Sequence, residues 1–280
     1  MDTIINYFAD IPTSHRSILL IGGLTIFFLI ENAAPLFDKK YNKIKHTGLN
    51  IFFTLTTVLV NFSMAFMLVF ASDWVVANQF GLLQWISLPT IANLIIGLML
   101  LDLLGAWLVH FIEHRVQWMW QFHVIHHTDQ YVDTTTANRH HPGESVIRFA
   151  FTIAAVIIVG APMWLVFLYQ SISLVLTQFN HSNMAIPIAL DNILKVVFCT
   201  PNMHRVHHHY RQPYSDSNYG NIFSIWDRIF GTYQVVDNKK LIYGVDTYMD
   251  SKEASDLTNL LKIPFSGYRN PIEYEKEEKL

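Results

Sequence analysis

Residues 88–114, LPTIANLIIGLMLLDLLGAWLVHFIEH, run from a long apolar segment directly into a pair of histidines. The apolar part is long enough to cross about 30 Å of hydrocarbon as a helix. His110 and His114 are four residues apart, so they share a helix face at the point where this segment would leave the membrane. The sequence therefore predicts a membrane helix that carries metal-ligating side chains at its end.

Two further histidine boxes occur downstream, HVIHH at 123–127 and HRVHH at 204–208. On a helix, each box is expected to direct two or three imidazoles the same way. A structural zinc takes four ligands and a catalytic zinc takes three and a water, so eight imidazoles predict two ions held close together. The predicted ligands from the three boxes are His110, His114, His123, His126, His127, His204, His207 and His208.

The composition indicates an integral membrane protein. Hydrophobic residues make up 51% of the 280 residues and charged residues only 15%, which favours several membrane spans over a soluble core. The net charge of −3 argues against nucleic acid as a partner, because nucleic acid requires a basic face. Cys199 is the single cysteine, so imidazole must be the main metal ligand.

Apolar runs predict the fold, an all-α integral membrane protein with four to five transmembrane or re-entrant helices and a cytoplasmic histidine-rich helical cap. Three spans are predicted near Ser17–Pro35, Leu49–Ser72 and Leu88–Phe111. Two shorter runs at 146–160 and 163–179 flank Ala161 and Pro162 and predict a helical hairpin, whose arms either cross the bilayer or re-enter it. The whole chain, 1–280, is expected to form one membrane domain.

The distribution of lysines predicts the orientation. Lys39, Lys40, Lys43 and Lys45 lie between the first two spans, whereas the next loop, 73–85, has no Lys or Arg. The positive-inside rule places the lysine loop in the cytoplasm and the N-terminus outside. Counting the spans forward then puts all three boxes on the cytoplasmic side. The sequence leaves open a bacterial inner membrane or the endoplasmic reticulum.

Further histidines and two carboxylates could complete the site. His141 and His181 each lie near a predicted membrane exit and are predicted as additional ligands. His140 and His209 are expected to point away from the metals, either behind a ligand or into solvent, and His15 and His46 are expected to lie at the interface or in solvent. Asp102 is predicted to orient a ligand imidazole, with helix packing as the alternative. The remaining second-sphere candidates are Asp227 and, more weakly, Glu113, Asp129 and Glu144.

The order of motifs carries a family resemblance. HFIEH, QFHVIHHTDQYVDTTTANRHHPGE, FNHSN, PNMHRVHHHY and NYGNIFSIWDRIFGTY follow one another over about residues 102–233. This order resembles the fatty acid hydroxylase and sterol desaturase superfamily of membrane di-iron oxygenases. The resemblance implies that the boxes, His181, and His141 of an RxHP element hold two iron ions. One departure is Phe111, where the family often has arginine.

The same resemblance implies a function. It implies O2-dependent hydroxylation or desaturation of a lipid C–H bond, with electrons from an external donor such as cytochrome b5 or ferredoxin and its reductase. The sequence HPGE at 141–144 lacks the last glycine of the haem-binding HPGG motif, so no fused donor is expected. Zinc would compete for the same imidazoles in purified protein, because it binds nitrogen sites more tightly than ferrous iron.

Two other functions remain open on the residues alone. A zinc-dependent membrane lipid hydrolase would use metal-bound water and need no oxygen. A metal transporter or sensor would need polar residues along a path through the membrane, and the predicted spans contain few. No residue selects among lipid substrates, so the particular lipid is not predicted.

Overall fold

A computed structural model describes residues 1–38 and 40–273, and in this part of the chain helices account for the regular structure, together with three isolated β-bridges. Lys39, used above for orientation, and the charged residues after 273 lie outside the described residues. The α-helices are α1 Asp2–Ala9, α2 Thr13–Ala33, α3 Lys43–Ala77, α4 Leu82–Trp85, α5 Thr90–Asp102, α6 Leu108–Arg115, α7 Gln117–His127, α8 Pro142–Val159, α9 Met163–His181, α10 Ile188–Leu194, α11 Pro201–His207, α12 Ile225–Ile229 and α13 Leu257–Lys262.

Short 3₁₀ turns occur at Thr134–Asn138, Asn238–Lys240, Asp246–Tyr248, Glu253–Ser255 and Ile263–Phe265. Within the described residues, four helical stretches are long and apolar enough to cross a membrane: Thr13–Ala33, Lys43–Trp85, Thr90–Arg115 and Pro142–Val159. The predicted all-α membrane fold is therefore confirmed. The side of the membrane that the histidines face remains a prediction.

The predicted hairpin is formed by α8 and α9, which are joined at Gly160–Pro162. Gly160 adopts a left-handed conformation with φ of 72°, and a Cβ atom placed there would lie 2.6 Å from the carbonyl oxygen of Phe80. Gln84 of α4 donates a hydrogen bond to the Gly160 carbonyl at 2.8 Å. The tip of the hairpin thus packs tightly against the chain that follows α3.

The helices pack so that one end of the bundle collects the histidines. α3 lies along α8, and α9 packs against α1, α2 and α11. Leu101, Val156, Leu165 and Tyr169 belong to the apolar core between α5, α8 and α9. Because α6, α7, α9 and α11 all present histidines near this end, the packing converts motifs scattered over about a hundred residues into one site.

A π-helical turn, Leu103–Trp107, interrupts the third span between α5 and α6. Such turns insert an additional residue into a helix and often occur at functional sites. The inserted residue changes the helical register between Asp102 and His110, so these two side chains do not have the relative direction of a continuous α-helix.

Candidate metal centre

Nine buried or partly buried histidines form two neighbouring groups whose ring nitrogens converge. Within each group the potential ligand atoms all lie within 4.8 Å of one another. The five-histidine group is His110, His114, His123, His127 and His207. The four-histidine group is His126, His181, His204 and His208. The structure therefore brings together all eight histidines of the boxes, together with His181.

The second and third boxes are each divided between the two groups. In α7, His123 and His127 are one turn apart and join the five-histidine group, whereas His126 joins the other. In the third box, His204 and His208 enter the four-histidine group and His207 enters the five-histidine group. Residues i and i+4 differ by about 40° around a helix, whereas i+3 and i+4 differ by about 100°. Each of these boxes therefore directs two imidazoles into one group, within the expected two or three, and the third imidazole into the other group.

The distances between ring nitrogens match the spacing of ligands around one ion. In the five-histidine group, the Nε2 atom of His127 lies 3.1 Å from that of His123 and 3.2 Å from that of His114. In the other group, the Nε2 atom of His181 lies 3.1 Å from those of His126 and His204. Metal–nitrogen bonds of about 2.0–2.1 Å place adjacent ligand nitrogens about 3.0–3.4 Å apart.

Backbone carbonyls fix the orientation of three of these imidazoles. The Nδ1 atom of His110 lies 2.9 Å from the Tyr219 carbonyl oxygen, and that of His207 lies 2.7 Å from the Ser217 carbonyl oxygen. His181 makes the equivalent contact within α9, at 2.8 Å to the Thr177 carbonyl oxygen. A carbonyl oxygen can only accept, so Nδ1 carries the proton and Nε2 keeps its lone pair in the neutral ring.

Carboxylates orient two more ligands. Glu144 Oε1 lies 2.8 Å from His123 Nδ1, and Asp216 Oδ1 lies 3.1 Å from His114 Nδ1. Arg148 donates to Glu144 at 3.0 Å and to Glu113 at 2.6 Å, which holds these buried carboxylates in place. Hydrogen bonds of this kind fix the tautomer of a metal-binding histidine and strengthen its donation to the metal.

Burial keeps the imidazoles neutral. Desolvation, and after it the neighbouring imidazoles, hold the pKa values of His126, His127 and His208 well below the usual histidine range. The Nε2 atoms of His110 and His207 are buried and have no hydrogen-bond partner among residues 1–38 and 40–273. Several lone pairs then face one another without a proton between them, an arrangement that a bound cation would stabilise. The donor set therefore fits two metal ions.

A cavity of about 520 Å³ opens onto both groups. Its wall includes His110 from the five-histidine group and His126, His181 and His204 from the other. From there it extends between membrane helices, where the lining residues include Leu68, Phe149, Phe167, Leu174 and Arg16. An elongated apolar molecule could reach the histidines through this cavity.

Comparison with known proteins identifies the region that contains this site. Residues 94–232 match the model of the fatty acid hydroxylase family. This region is a fatty acid hydroxylase domain. It includes all three histidine boxes and His181, and it covers about half of the chain.

Curated relatives of this hydroxylase domain act on several lipids. The chain is 25% identical over 183 residues to ornithine lipid hydroxylase OlsE of Rhizobium tropici, covering 65% of this chain and 52% of the relative. It is 32% identical over 150 residues to human alkylglycerol monooxygenase, covering 50% and 30% of the two chains. A cholesterol 25-hydroxylase-like protein of Danio rerio is 25% identical over 152 residues, with coverages of 52% and 53%.

The chain thus spans about half, or less, of the length of these relatives. No solved structure gives a significant match.

His141 takes a different position from the one predicted for a ligand. The hydroxylase domain does not bring it into either histidine group. It precedes α8 as the N-cap, where its Nδ1 accepts a hydrogen bond from the Gly143 amide at 3.0 Å, and its ring packs against Phe122. His140 points inward instead, stacking on His126 and bonding to Glu144 at 2.7 Å. His140 thus takes one of the two roles predicted for it, a position behind the converging imidazoles.

Asp102 contacts no imidazole among the described residues. Its carboxylate accepts hydrogen bonds from the amides of Ile222 and Phe223 at 3.2 and 3.1 Å and from the indole of Trp226 at 3.1 Å. The predicted contact with a ligand is therefore replaced by an anchor between α5 and the segment that follows the third box. The π-helical turn separates this anchor from His110.

Asp227 also holds the segment that follows the third box. It accepts hydrogen bonds from the backbone amides of Tyr219 and Gly220, each at 2.9 Å, and from Trp107 at 3.0 Å. Since the Tyr219 carbonyl binds His110, Asp227 positions the histidine through the backbone and has no direct contact with it. The carboxylates that do touch ligands are Glu144, a weaker candidate from sequence, and Asp216, which lies in a loop without a motif to mark it.

His46 is also buried more than expected. It bridges Asp129 and Asp133, with contacts of 2.9 and 3.3 Å, so the expectation of an interfacial or solvated side chain is wrong. Nearby, the fully buried Arg139 donates to the Ile125 carbonyl at 3.0 Å and to Asn50 at 2.9 Å. This network connects α3 with the end of α7 and so helps to fix the position of the second histidine box.

Proposed function

We propose that this chain is a membrane di-iron monooxygenase that hydroxylates a C–H bond of a lipid with O2 and electrons from a separate donor. The observation that carries the proposal is the convergence of nine imidazoles in two groups at the end of a cavity between membrane helices. The hydroxylase domain and the names of its relatives support the same chemistry.

The geometry of the side chains supports a proposal for the ligands of each ion. His110, His114, His123, His127 and His207 would hold one ion, and His126, His181, His204 and His208 the other. Bound iron would supply the redox chemistry that activates dioxygen for C–H oxidation, which no side chain can provide. Neutral imidazole accepts iron, zinc and copper alike, so the choice of iron rests on the family.

The chain itself contributes binding and orientation. An apolar substrate in the cavity displaces water from Leu68, Phe149 and Phe167 and places one carbon beside the histidines. Arg148, Glu113 and Glu144 keep the surrounding charges paired while water is excluded. Regioselectivity then depends on where the substrate is held along the cavity.

Hydroxylation is proposed over desaturation because the relatives named above are called hydroxylases and monooxygenases. Electrons must arrive from outside the chain, and cytochrome b5 or a ferredoxin with its reductase fits this role. A separate cavity of about 90 Å³, lined by His114, Trp120 and Asp216, offers a short path from the surface to a ligand histidine. Asp216 is 16% exposed at its side chain, so this path begins close to solvent.

The cytoplasm is the proposed side for the histidine cap, since Lys45 lines a cavity with Thr128 at the end of α7 and Lys43 pairs with Glu31, which accepts from the Thr134 amide. A bacterial inner membrane and the endoplasmic reticulum both fit this topology. The proposed substrate is a membrane lipid, because the cavity runs between helices that would face the bilayer.

The test is an oxygen-dependent assay on protein in lipid nanodiscs, loaded with iron and supplied with a chemical reductant and candidate lipids. We expect an alcohol product containing one oxygen atom from ¹⁸O2. The His207→Ala variant should be inactive, and His15→Ala, which changes an exposed histidine outside the groups, should match the parent. Lipid cleavage without oxygen would indicate a zinc hydrolase and overturn the proposal, as would metal-loaded protein that oxidises none of the lipids.

A further inference from the structure

The cavity contains an arginine at some distance from the histidines. Arg16 lies in the first turns of α2, and its guanidinium carbon is 4.7 Å from the centre of the Phe167 ring. Its Nη2 atom is 3.5 Å from Gln170 Oε1. All three residues line the same cavity as His126, His181 and His204. One continuous space therefore has a metal-ligand cluster in one part and a cation in another.

Arg16 has no carboxylate within 4.0 Å across residues 1–38 and 40–273. Arg148, which lines the same cavity, is by contrast bonded to both Glu113 and Glu144. Arg16 is exposed in the first turn of α2, next to the predicted start of the first span, and it lines the cavity there. Cationic residues of membrane proteins that face a cavity often mark a binding path. The guanidinium of Arg16 is therefore accessible to an anion that enters this part of the cavity.

The distance between the two parts of the cavity fits a lipid chain. Gln170, beside Arg16, and His181, in the four-histidine group, lie on the same helix, α9. At about 1.5 Å per residue, the rise from one to the other is roughly 16 Å. An extended hydrocarbon of about a dozen carbons covers a similar length. An anion held at Arg16 would thus place its chain across the cavity and its distal carbons at the histidines.

We propose that Arg16 binds the anionic group of the substrate, a carboxylate or a phosphate, and so determines which carbon of the chain reaches the histidines. This inference rests on the proposed function and specifies its substrate class, an anionic amphiphile. Guanidinium binds carboxylate and phosphate through paired, charge-assisted hydrogen bonds. When no substrate is bound, Gln170 and the Phe167 ring hold the guanidinium beside the cavity.

Binding to the metal-free protein tests this inference without any turnover. The ligands are hexadecanoate, dipalmitoyl phosphatidic acid and inorganic phosphate, with hexadecanol as the uncharged probe of equal chain length. The variants are R16Q and R16K. The control variant is R228Q, because Arg228 is also exposed and also lies over an aromatic ring, 3.9 Å from the centre of Tyr233, but does not line the cavity.

We expect R16Q to weaken binding of the anionic amphiphile about tenfold or more, while hexadecanol binding changes less than twofold. R16K keeps the charge but loses the paired hydrogen bonds, so its affinity should lie between those of the parent and R16Q, and R228Q should match the parent. A preference for hexadecanoate identifies a carboxylate substrate, and a preference for phosphatidic acid identifies a phosphate. The inference would be overturned if R16Q and R228Q bound the anionic amphiphiles with equal affinity. It would also be overturned if inorganic phosphate bound as tightly as the ligands that carry a hydrocarbon chain.

The loaded enzyme provides a second readout. R16Q should raise KM for the anionic lipid more than it lowers kcat, and it should spread hydroxylation over several carbons of the chain. If Arg16-dependent binding is found but no lipid is oxidised, the binding site stands and the monooxygenase proposal fails. If oxidation proceeds with an unchanged product in R16Q, the monooxygenase stands and the role of Arg16 fails.

Discussion

The Nε2 atoms of His123 and His127 lie 3.1 Å apart, whereas His126, on the same helix between them, turns toward His181 at 3.1 Å. One turn of α7 therefore contributes to both histidine groups. The third box is divided in the opposite sense: His204 and His208 belong to the four-histidine group, and His207 belongs to the five-histidine group. The two ions that we propose would share the same pair of short helices.

The first prediction concerns metal stoichiometry. The parent protein should bind about two ions per chain, measured by elemental analysis after purification in detergent. His181→Ala removes a ligand from the four-histidine group, and His207→Ala removes one from the five-histidine group, so each should lose about one ion. His15→Ala is the control. Loss of all metal in both variants would instead show that the groups bind cooperatively as one unit, and no metal in the parent would contradict the site.

A second prediction concerns the carboxylate behind His123. Glu144→Gln keeps the shape of the side chain but removes the charge that holds the imidazole and pairs with Arg148. Changes to such partners typically lower metal affinity by about 10–100-fold. Competition with a coloured chelator measures this loss. Glu253→Gln, which alters an exposed ion pair with Arg269, should leave the affinity unchanged. Equal affinities in the two variants would show that Glu144 does not tune the metal.

The anchor at Asp102 gives a third prediction. Asp102→Asn leaves one accepting oxygen for three donors, so at least one donor loses its partner in a fully buried position. An unsatisfied buried group costs about 1–3 kcal/mol, and we expect a lower thermal unfolding midpoint. Asp73→Asn changes an exposed aspartate near the C-terminal end of α3 and should be neutral. A midpoint for Asp102→Asn equal to that of Asp73→Asn would argue against the anchor.

The fourth prediction compares the same substitution at two glycines that have the same φ angle. Gly160 and Gly231 both have φ of 72°, but a Cβ atom at Gly160 would lie 2.6 Å from the Phe80 carbonyl oxygen, whereas one at Gly231 would meet nothing within 4 Å. Gly231→Ala should therefore cost only the left-handed strain, about 1–2 kcal/mol. Gly160→Ala should destabilise the protein further, because the hairpin tip must move away. Equal unfolding midpoints would show that the close approach is not required.

The sequence predicted the helices well because each apolar run is long and ends near a charged or proline residue. α8 begins four residues before the predicted arm and α9 ends two residues after it, differences that are normal for helix ends. The histidine boxes likewise identified the residues whose ring nitrogens converge, because residues i and i+4 of a helix keep nearly the same direction after folding.

Other parts of the site depend on tertiary contacts that no local pattern contains. The carbonyls of Tyr219 and Ser217 that orient His110 and His207 carry no signature in sequence. The position of His141 outside the two histidine groups follows from its role as the N-cap of α8. The π-helical turn altered the register between Asp102 and the first box, and nothing in the apolar run marks it.

The anchor between Asp102 and residues 222–226 also sets an order of events during biosynthesis. The carboxylate emerges from the ribosome about 120 residues ahead of its hydrogen-bond donors, an interval on the order of ten seconds at ordinary rates of translation. The third histidine box arrives in the same late portion of the chain. The membrane helices would consequently insert before the Asp102 carboxylate has its hydrogen-bond donors. Acquisition of metal would then be a final maturation step that depends on the last third of the chain.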